Sequence, residues 1–268
     1  MSRFNRAKTR VLNGMNISEL GQLARCYARE QAVVAMLGMP ALLGHPAWRT
    51  VNPDLGGGQG VLLVPGFGAG DRSLSLTRRW LGARGFVPAP ARIGLNLGCT
   101  STLVDLVEQR VEEHARTTGG KIVLLGQSRG GALARLVAVR RPELVRGLVM
   151  LGSPVLDLLG ARLGVITMAR LLARLTELGL KGVLDNDCFR GDCYALHSEA
   201  LRAPLEVPAV AFYSRNDAIA PWRLCMDPYA RCIEVRSTHT GMGLDPEVYA
   251  ALGPILADWS DHAVSQVA

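Results

Sequence analysis

Lys121-Ile122-Val123-Leu124-Leu125-Gly126-Gln127-Ser128-Arg129-Gly130-Gly131 is the stretch that decides the fold. A β run, Lys121–Leu125, leads into the pattern Gly-x-Ser-x-Gly, and a helical pattern over 130–140 follows it. In that context the serine occupies a sharp strand-to-helix turn that lifts its Oγ above the sheet. Gly126 and Gly130 are required because a side chain at either place would strike the neighbouring strand and helix. The five-residue pattern alone recurs by chance in many proteins; the flanks make Ser128 a candidate nucleophile.

Outward from this stretch, strand and helix patterns alternate. Upstream, Val61-Leu62-Leu63-Val64 is a short all-apolar run, the mark of a strand buried on both faces. A helix near 73–84, an extended piece near 86–90 and a helix from Thr102 to about Arg116 follow, the last ended by Gly119-Gly120. Downstream, the helix over 130–140 stops before Pro142, and strands are expected at Gly147–Leu151, Ala209–Ser214 and Cys232–Val235. Asp245-Pro246 opens a last helix, an N-cap followed by proline at the first helical position. Such alternation implies an α/β protein with an open, mainly parallel sheet covered by helices. Residues 154–206 are too many for a simple crossover, and Leu158–Leu184 is helical in pattern, with Arg170, Arg174, Glu177 and Lys181 on one face and Leu171, Leu172, Leu175 and Leu178 elsewhere. The expected organisation is an N-terminal helical extension over 1–57, with a helix at 18–37 capped by Ser18. A core over 58–153 and 207–268 carries a helical cap inserted at 154–206.

A serine hydroxyl needs a base. His114 lies inside a helix, His262 in the terminal tail, His45 in a Pro-rich loop and His197 in the cap. His239 instead follows a strand in Arg-Ser-Thr-His-Thr-Gly, at the sheet edge where open α/β proteins bind ligands. Asp217 follows the strand before it and would orient the imidazole, giving the chain order Ser128, Asp217, His239. Against this stand an Asx-turn role for Asp217 and a competing acid, Asp157. An oxyanion hole needs two backbone N–H groups, expected from Arg129 and from Phe67 in Pro65-Gly66-Phe67-Gly68-Ala69-Gly70-Asp71. That glycine-rich loop lacks the Lys-Ser/Thr of a phosphate loop and the spacing of a dinucleotide fingerprint.

The stretch from about 58 to 255 resembles the bacterial lipase/esterase branch of the α/β-hydrolase superfamily, through VLLVPGFGAGD, GLNLGCT, VLLGQSRGGALAR, LVMLGSP, FYSRNDAIAPW and RSTHTGMG. The resemblance implies a cap between the later strands, the same five residues in the same roles, and cleavage of an ester-type acyl bond through an acyl-enzyme. The stretch Cys188-Phe-Arg-Gly-Asp-Cys193, with Cys225-Met-Asp-Pro, is similar to cap and loop cysteines in uncharacterised members. The chain departs from the pattern at Pro65, where many lipases have His, and at Arg129, where Gln or Leu is common. Both changes bear on substrate rather than on a hole built from backbone. Rival expectations are an acyltransferase using the same acyl-enzyme and a ligand-binding member without turnover. No metal or organic cofactor is called for.

The 268 residues suffice for one sizeable core, and 49% hydrophobic with 20% charged residues is ordinary globular composition. Aromatic residues at 5% leave little for stacking nucleic acid. The net charge of +7 favours anionic partners, at most a weak association with an anionic lipid surface. Neither a signal peptide nor a membrane span is recognisable, so a cytoplasmic or membrane-peripheral location is expected. The six cysteines form no CxxC pair, which argues against a zinc site; Cys188 and Cys193 are close enough in sequence for a local disulfide. Leu158, Leu159, Leu163, Val165, Ile166, Met168, Leu171, Leu172 and Leu175 exceed what docking one helix needs. Leu159, Met168, Leu171 and Leu172 are therefore expected to line an apolar site for a small-molecule or lipid-like acyl substrate.

Overall fold

The computed structural model describes residues 21–260 apart from 23, 26, 27, 29, 31, 33, 162, 178, 180 and 181, and omits the side chains at 35, 163, 164, 175 and 177. Ser18, Cys26, Leu178, Lys181 and His262 therefore lie outside the described residues, as do the side chains of Leu163, Leu175 and Glu177. Six parallel strands form one sheet: β1 (Gly60–Val64), β2 (Val87–Pro90), β3 (Ile122–Gln127), β4 (Val145–Leu151), β5 (Ala209–Tyr213) and β6 (Arg231–Glu234), in the order β2-β1-β3-β4-β5-β6. Every residue of β1 and β5 is buried, as the unbroken apolar run Val61–Val64 foretold for β1. Pro88 and Pro90 fall on the edge strand β2, where a missing N–H costs no ladder bond.

Alternate residues of each strand feed opposite cores. Leu62, Val64, Ile122 and Leu124 join one cluster, while Val61, Leu63, Val123 and Leu125 join the other. Burying each such side chain contributes about 1.5–3 kcal/mol, so a polar residue in either run would cost the sheet a whole layer of contact. Helices α4 (Thr100–Thr118) and α5 (Arg129–Arg140) cover the first face. The second is covered by α3 (Ser75–Gly82) and α9 (Pro246–Asp258), with Leu42 of α1 (Met39–Gly44) and Trp48 of α2 (Pro46–Arg49) beside them. Asp245 caps α9 by accepting from Glu247 N, the cap-and-proline start seen in the sequence.

The chain leaves β1 toward β2 on one side and returns across it to β3 on the other. The C-terminal ends of β1 and β3 are thus a topological switch point, where a crevice opens. Between β4 and β5 only helices occur among the described residues: α6 (Leu163–Glu177), α7 (Asp187–Arg190) and α8 (Asp192–Ala200). The long helical pattern expected over Leu158–Leu184 is shorter in fact, because Asp157 and Leu158–Gly160 form turns before α6 and the chain bends again near Gly182. The expected helix over 18–37 likewise passes into a π-helical turn at Val34–Gly38.

Candidate active site

Ser128 has φ +53° and ψ −127°, a conformation that L-residues rarely adopt, and it lies between β3 and α5. The turn closes because its neighbours lack side chains. A Cβ on Gly126 would lie 2.5 Å from Gly130 C and Gly131 Cα, and one on Gly130 would collide with the carbonyls of Val64 and Pro65. A Cβ on Gly66 would press to 3.3 Å from Gln127 O and Ser128 Cβ, so the loop after β1 lies against the turn that carries the serine.

Ser128 Oγ is 2.9 Å from His239 Nε2, and His239 Nδ1 is 2.7 Å from Asp217 Oδ2. The imidazole proton on Nδ1 faces the carboxylate, which leaves Nε2 to accept the serine hydroxyl. Asp217 Oδ1 accepts from Ile219 N at 2.8 Å and Ala220 N at 2.7 Å, so both carboxylate oxygens are held. The Asx-turn role and the orienting position are thus filled by the same residue. Asp157 accepts instead from Leu159 N at 2.9 Å. The other described histidines are engaged elsewhere: His114 with Val87 O at 2.8 Å, His197 with Ser101 Oγ at 3.0 Å, and His45 as the cap of α2.

Among the described residues no acceptor takes the Phe67 or Arg129 N–H, and both residues border the same cavity as Ser128 and His239. The Arg129 side chain turns away. It donates to Asn96 O at 2.9 Å, Gly98 O at 2.9 Å and Thr100 Oγ1 at 3.2 Å, while Asn96 Nδ2 donates to Pro65 O at 2.6 Å. The stretch GLNLGCT thus straps the loop after β1 to the turn of Ser128. Burial holds the Arg129 guanidinium down at about 10, against an upward pull from the thiols of Cys188, Cys99 and Cys193.

The cavity measures about 830 Å³. From the insertion its lining includes Leu158, Leu159, Val165, Ile166, Met168 and Cys188. Of the expected substrate-lining residues, Leu159 and Met168 face it, whereas Leu171 and Leu172 do not border it. The register of α6 carries those two past the opening, a rotation that helical periodicity alone does not fix. Cys188 and Cys193, expected as a local disulfide, are free thiols 3.8 Å apart.

Two further contributors are not announced by any motif. Glu30 Oε2 accepts from Thr240 N at 2.9 Å and Thr240 Oγ1 at 3.0 Å, gripping the residue after His239. Gln127 Nε2 donates to His239 O at 3.3 Å. Glu30 is one acidic residue in the expected helix over 18–37, and nothing near it in the chain announces a partner 210 residues away.

A parallel sheet that delivers a serine, a histidine and a carboxylate to one cavity at its C-terminal edge defines a recognised class of α/β proteins. This chain belongs to the α/β hydrolase fold family, whose model matches residues 32–177. Lipase BlEst2 of Bacillus licheniformis, in mature form, is similar with a TM-score of 0.59 at 14% identity, over 80% of this chain and 99% of that one. The monoacylglycerol lipase of Paleococcus ferrophilus gives 0.54 at 17% identity, over 75% and 95%. The thioesterase domain from the curacin biosynthetic pathway gives 0.50 at 16% identity, over 74% and 90%. At these identities the likeness is one of fold. No curated protein matches the sequence.

Proposed function

We propose that the protein is a serine hydrolase that cleaves an ester-type acyl bond of a largely apolar substrate, with Ser128 as nucleophile, His239 as general base and Asp217 as its orienting acid. The observation that carries this reading is the unbroken chain Ser128 Oγ–His239–Asp217, with contacts of 2.9 and 2.7 Å, opening on a cavity of about 830 Å³. Ser128 attacks the acyl carbonyl while His239 Nε2 takes the hydroxyl proton. The Phe67 and Arg129 N–H groups receive the oxyanion of the tetrahedral intermediate. His239 then returns the proton to the leaving oxygen, and water, activated by the same imidazole, releases the acid. The segment 154–206 acts as the cap, and its apolar side chains receive the acyl part. Lipases and a thioesterase share the fold, which suits acyl substrates of this character.

A labelled fluorophosphonate followed by peptide mapping tests the assignment without knowledge of the natural substrate. The label is expected on Ser128. Ser128→Ala is expected to lose both labelling and about 10⁶-fold of kcat toward short-chain esters while remaining folded. Wild-type-like turnover by that variant would falsify the assignment. Product analysis with an added alcohol separates hydrolysis from acyl transfer.

A further inference from the structure

Three thiols from two distant parts of the chain meet beside the loop that carries Phe67. Cys99 precedes α4, Cys188 lies in α7 and Cys193 in α8. Cys99 Sγ is 3.7 Å from Cys193 Sγ, Cys188 Sγ is 3.8 Å from Cys193 Sγ, and all three sulfurs lie within 4.8 Å of one another. Cys188 and Cys193 are buried and pack with Phe67 and Phe189.

We propose that Cys99, Cys188 and Cys193 form a zinc site that fastens the helices of the insertion to the core beside the candidate active site. Tetrahedral zinc with Zn–S bonds of about 2.3 Å sets neighbouring sulfurs about 3.8 Å apart, the spacing of two of the three pairs here. A disulfide needs about 2.05 Å, joins only two of the three and leaves the third thiol stranded. Charge supplies a second, independent argument. Arg129 is a half-buried cation that donates to two carbonyls and a hydroxyl and lies over the Phe67 ring; among the described residues no carboxylate pairs with it, and a charge drawn out of water favours a counter-charge nearby. Zn²⁺ with three thiolates carries one net negative charge, which matches it. Binding is balanced by release of three S–H protons to solvent as three Zn–S bonds form, and an oxygen ligand, water or the nearby Ser101 hydroxyl, completes the tetrahedron. Ser101 Oγ is 3.3 Å from Cys193 Sγ and 3.0 Å from His197 Nε2. The backbone that presents the sulfurs is itself pinned: Cys188 N donates to Asp185 Oδ1 and Cys193 N to Asp187 Oδ2, each at 3.2 Å.

The test begins with full-length protein prepared under reducing conditions with zinc, then dialysed into metal-free buffer. About one zinc per chain should remain by elemental analysis, and cobalt substitution should give thiolate-to-metal charge-transfer absorption. Cys99→Ser and Cys193→Ser should each weaken zinc binding at least about 100-fold. Cys225→Ser, which removes a buried thiol elsewhere, should leave it unchanged. Reduced, folded wild type that takes up neither metal would overturn the proposal, whatever the variants do. So would peptide mapping that finds any two of the three cysteines joined by a disulfide in protein prepared with zinc. Fluorophosphonate labelling of Ser128 reads the hydrolase assignment separately, so either idea can fail alone.

Discussion

At the scale of single residues, the site rests on Asp217 more than its distance to His239 suggests. One carboxylate oxygen holds the imidazole and the other holds the backbone of Ile219 and Ala220, so the acid also shapes its own loop. Asp217→Asn keeps the size, but its one acceptor oxygen stays with the Ile219 and Ala220 N–H groups, so the amide N–H faces Nδ1. That favours the imidazole tautomer with its proton on Nε2, facing the serine. Steady-state kinetics with a chromogenic ester should show kcat lower by about 10⁴-fold for Asp217→Asn and nearly unchanged for Asp157→Asn. The reverse ranking would move the acid to the loop after β4. Ser128 is constrained differently: its positive φ persists because Gly126, Gly130 and Gly131 let strand, loop and helix crowd around it.

At the scale of elements, what the sequence disclosed follows from how each element is buried. β1 and β3 were legible because a strand covered on both faces must be apolar throughout, and α9 because its cap and its proline adjoin. The two short helices α7 and α8 were not, since four residues of Asp-Cys-Phe-Arg show no period. Leu171 and Leu172 were misplaced for a related reason. Periodicity says which residues share a face of α6, while the partner of that face is a tertiary fact. The thiol cluster was hidden likewise, because its first member is 94 residues from its last and only local spacings announce metal ligands. Ile166 and Met168 belong to α6 and border the cavity. Truncating both to Ala should shift the chain-length preference of kcat/KM across acetyl to dodecanoyl esters by about 1–3 kcal/mol per methylene whose contact is lost. A uniform loss across the panel, with a lower Tm, would place both side chains in packing alone.

At the scale of the whole molecule, layers are tied by buried polar contacts as well as by apolar area. Arg135 of α5 pairs with Asp227, and its Nη2 donates to Ala203 O at 3.0 Å, joining a core helix to the loops on either side of β5. His114 links α4 to β2, and His197 links α8 to the start of α4. Burial lowers the pKa of both, so each is neutral when folded and takes up a proton more readily when unfolded. Their contribution is therefore complete above the unfolded value of about 6.5 and declines as pH falls below it. Urea midpoints should fall as pH drops from 7 toward 5, and the fall should be shallower in His114→Gln, whose amide can still donate to Val87 O. An equal slope in that variant would assign the acid sensitivity elsewhere. No described helix is long and apolar enough to cross a membrane.

The grip of Glu30 on Thr240 reaches beyond the site. The family model begins at residue 32, so a chain shortened to that boundary would keep the whole sheet, the serine turn, and Leu42 and Trp48 of the second core. It would also discard Glu30, whose carboxylate anchors the backbone beside His239, together with Ala24 from the cavity wall. On the proposed function, a chain shortened in that way is expected to fold and yet to lose turnover. Domain minimisation, N-terminal fusion and limited proteolysis would all meet that difference first as lost turnover in a protein that still melts cooperatively.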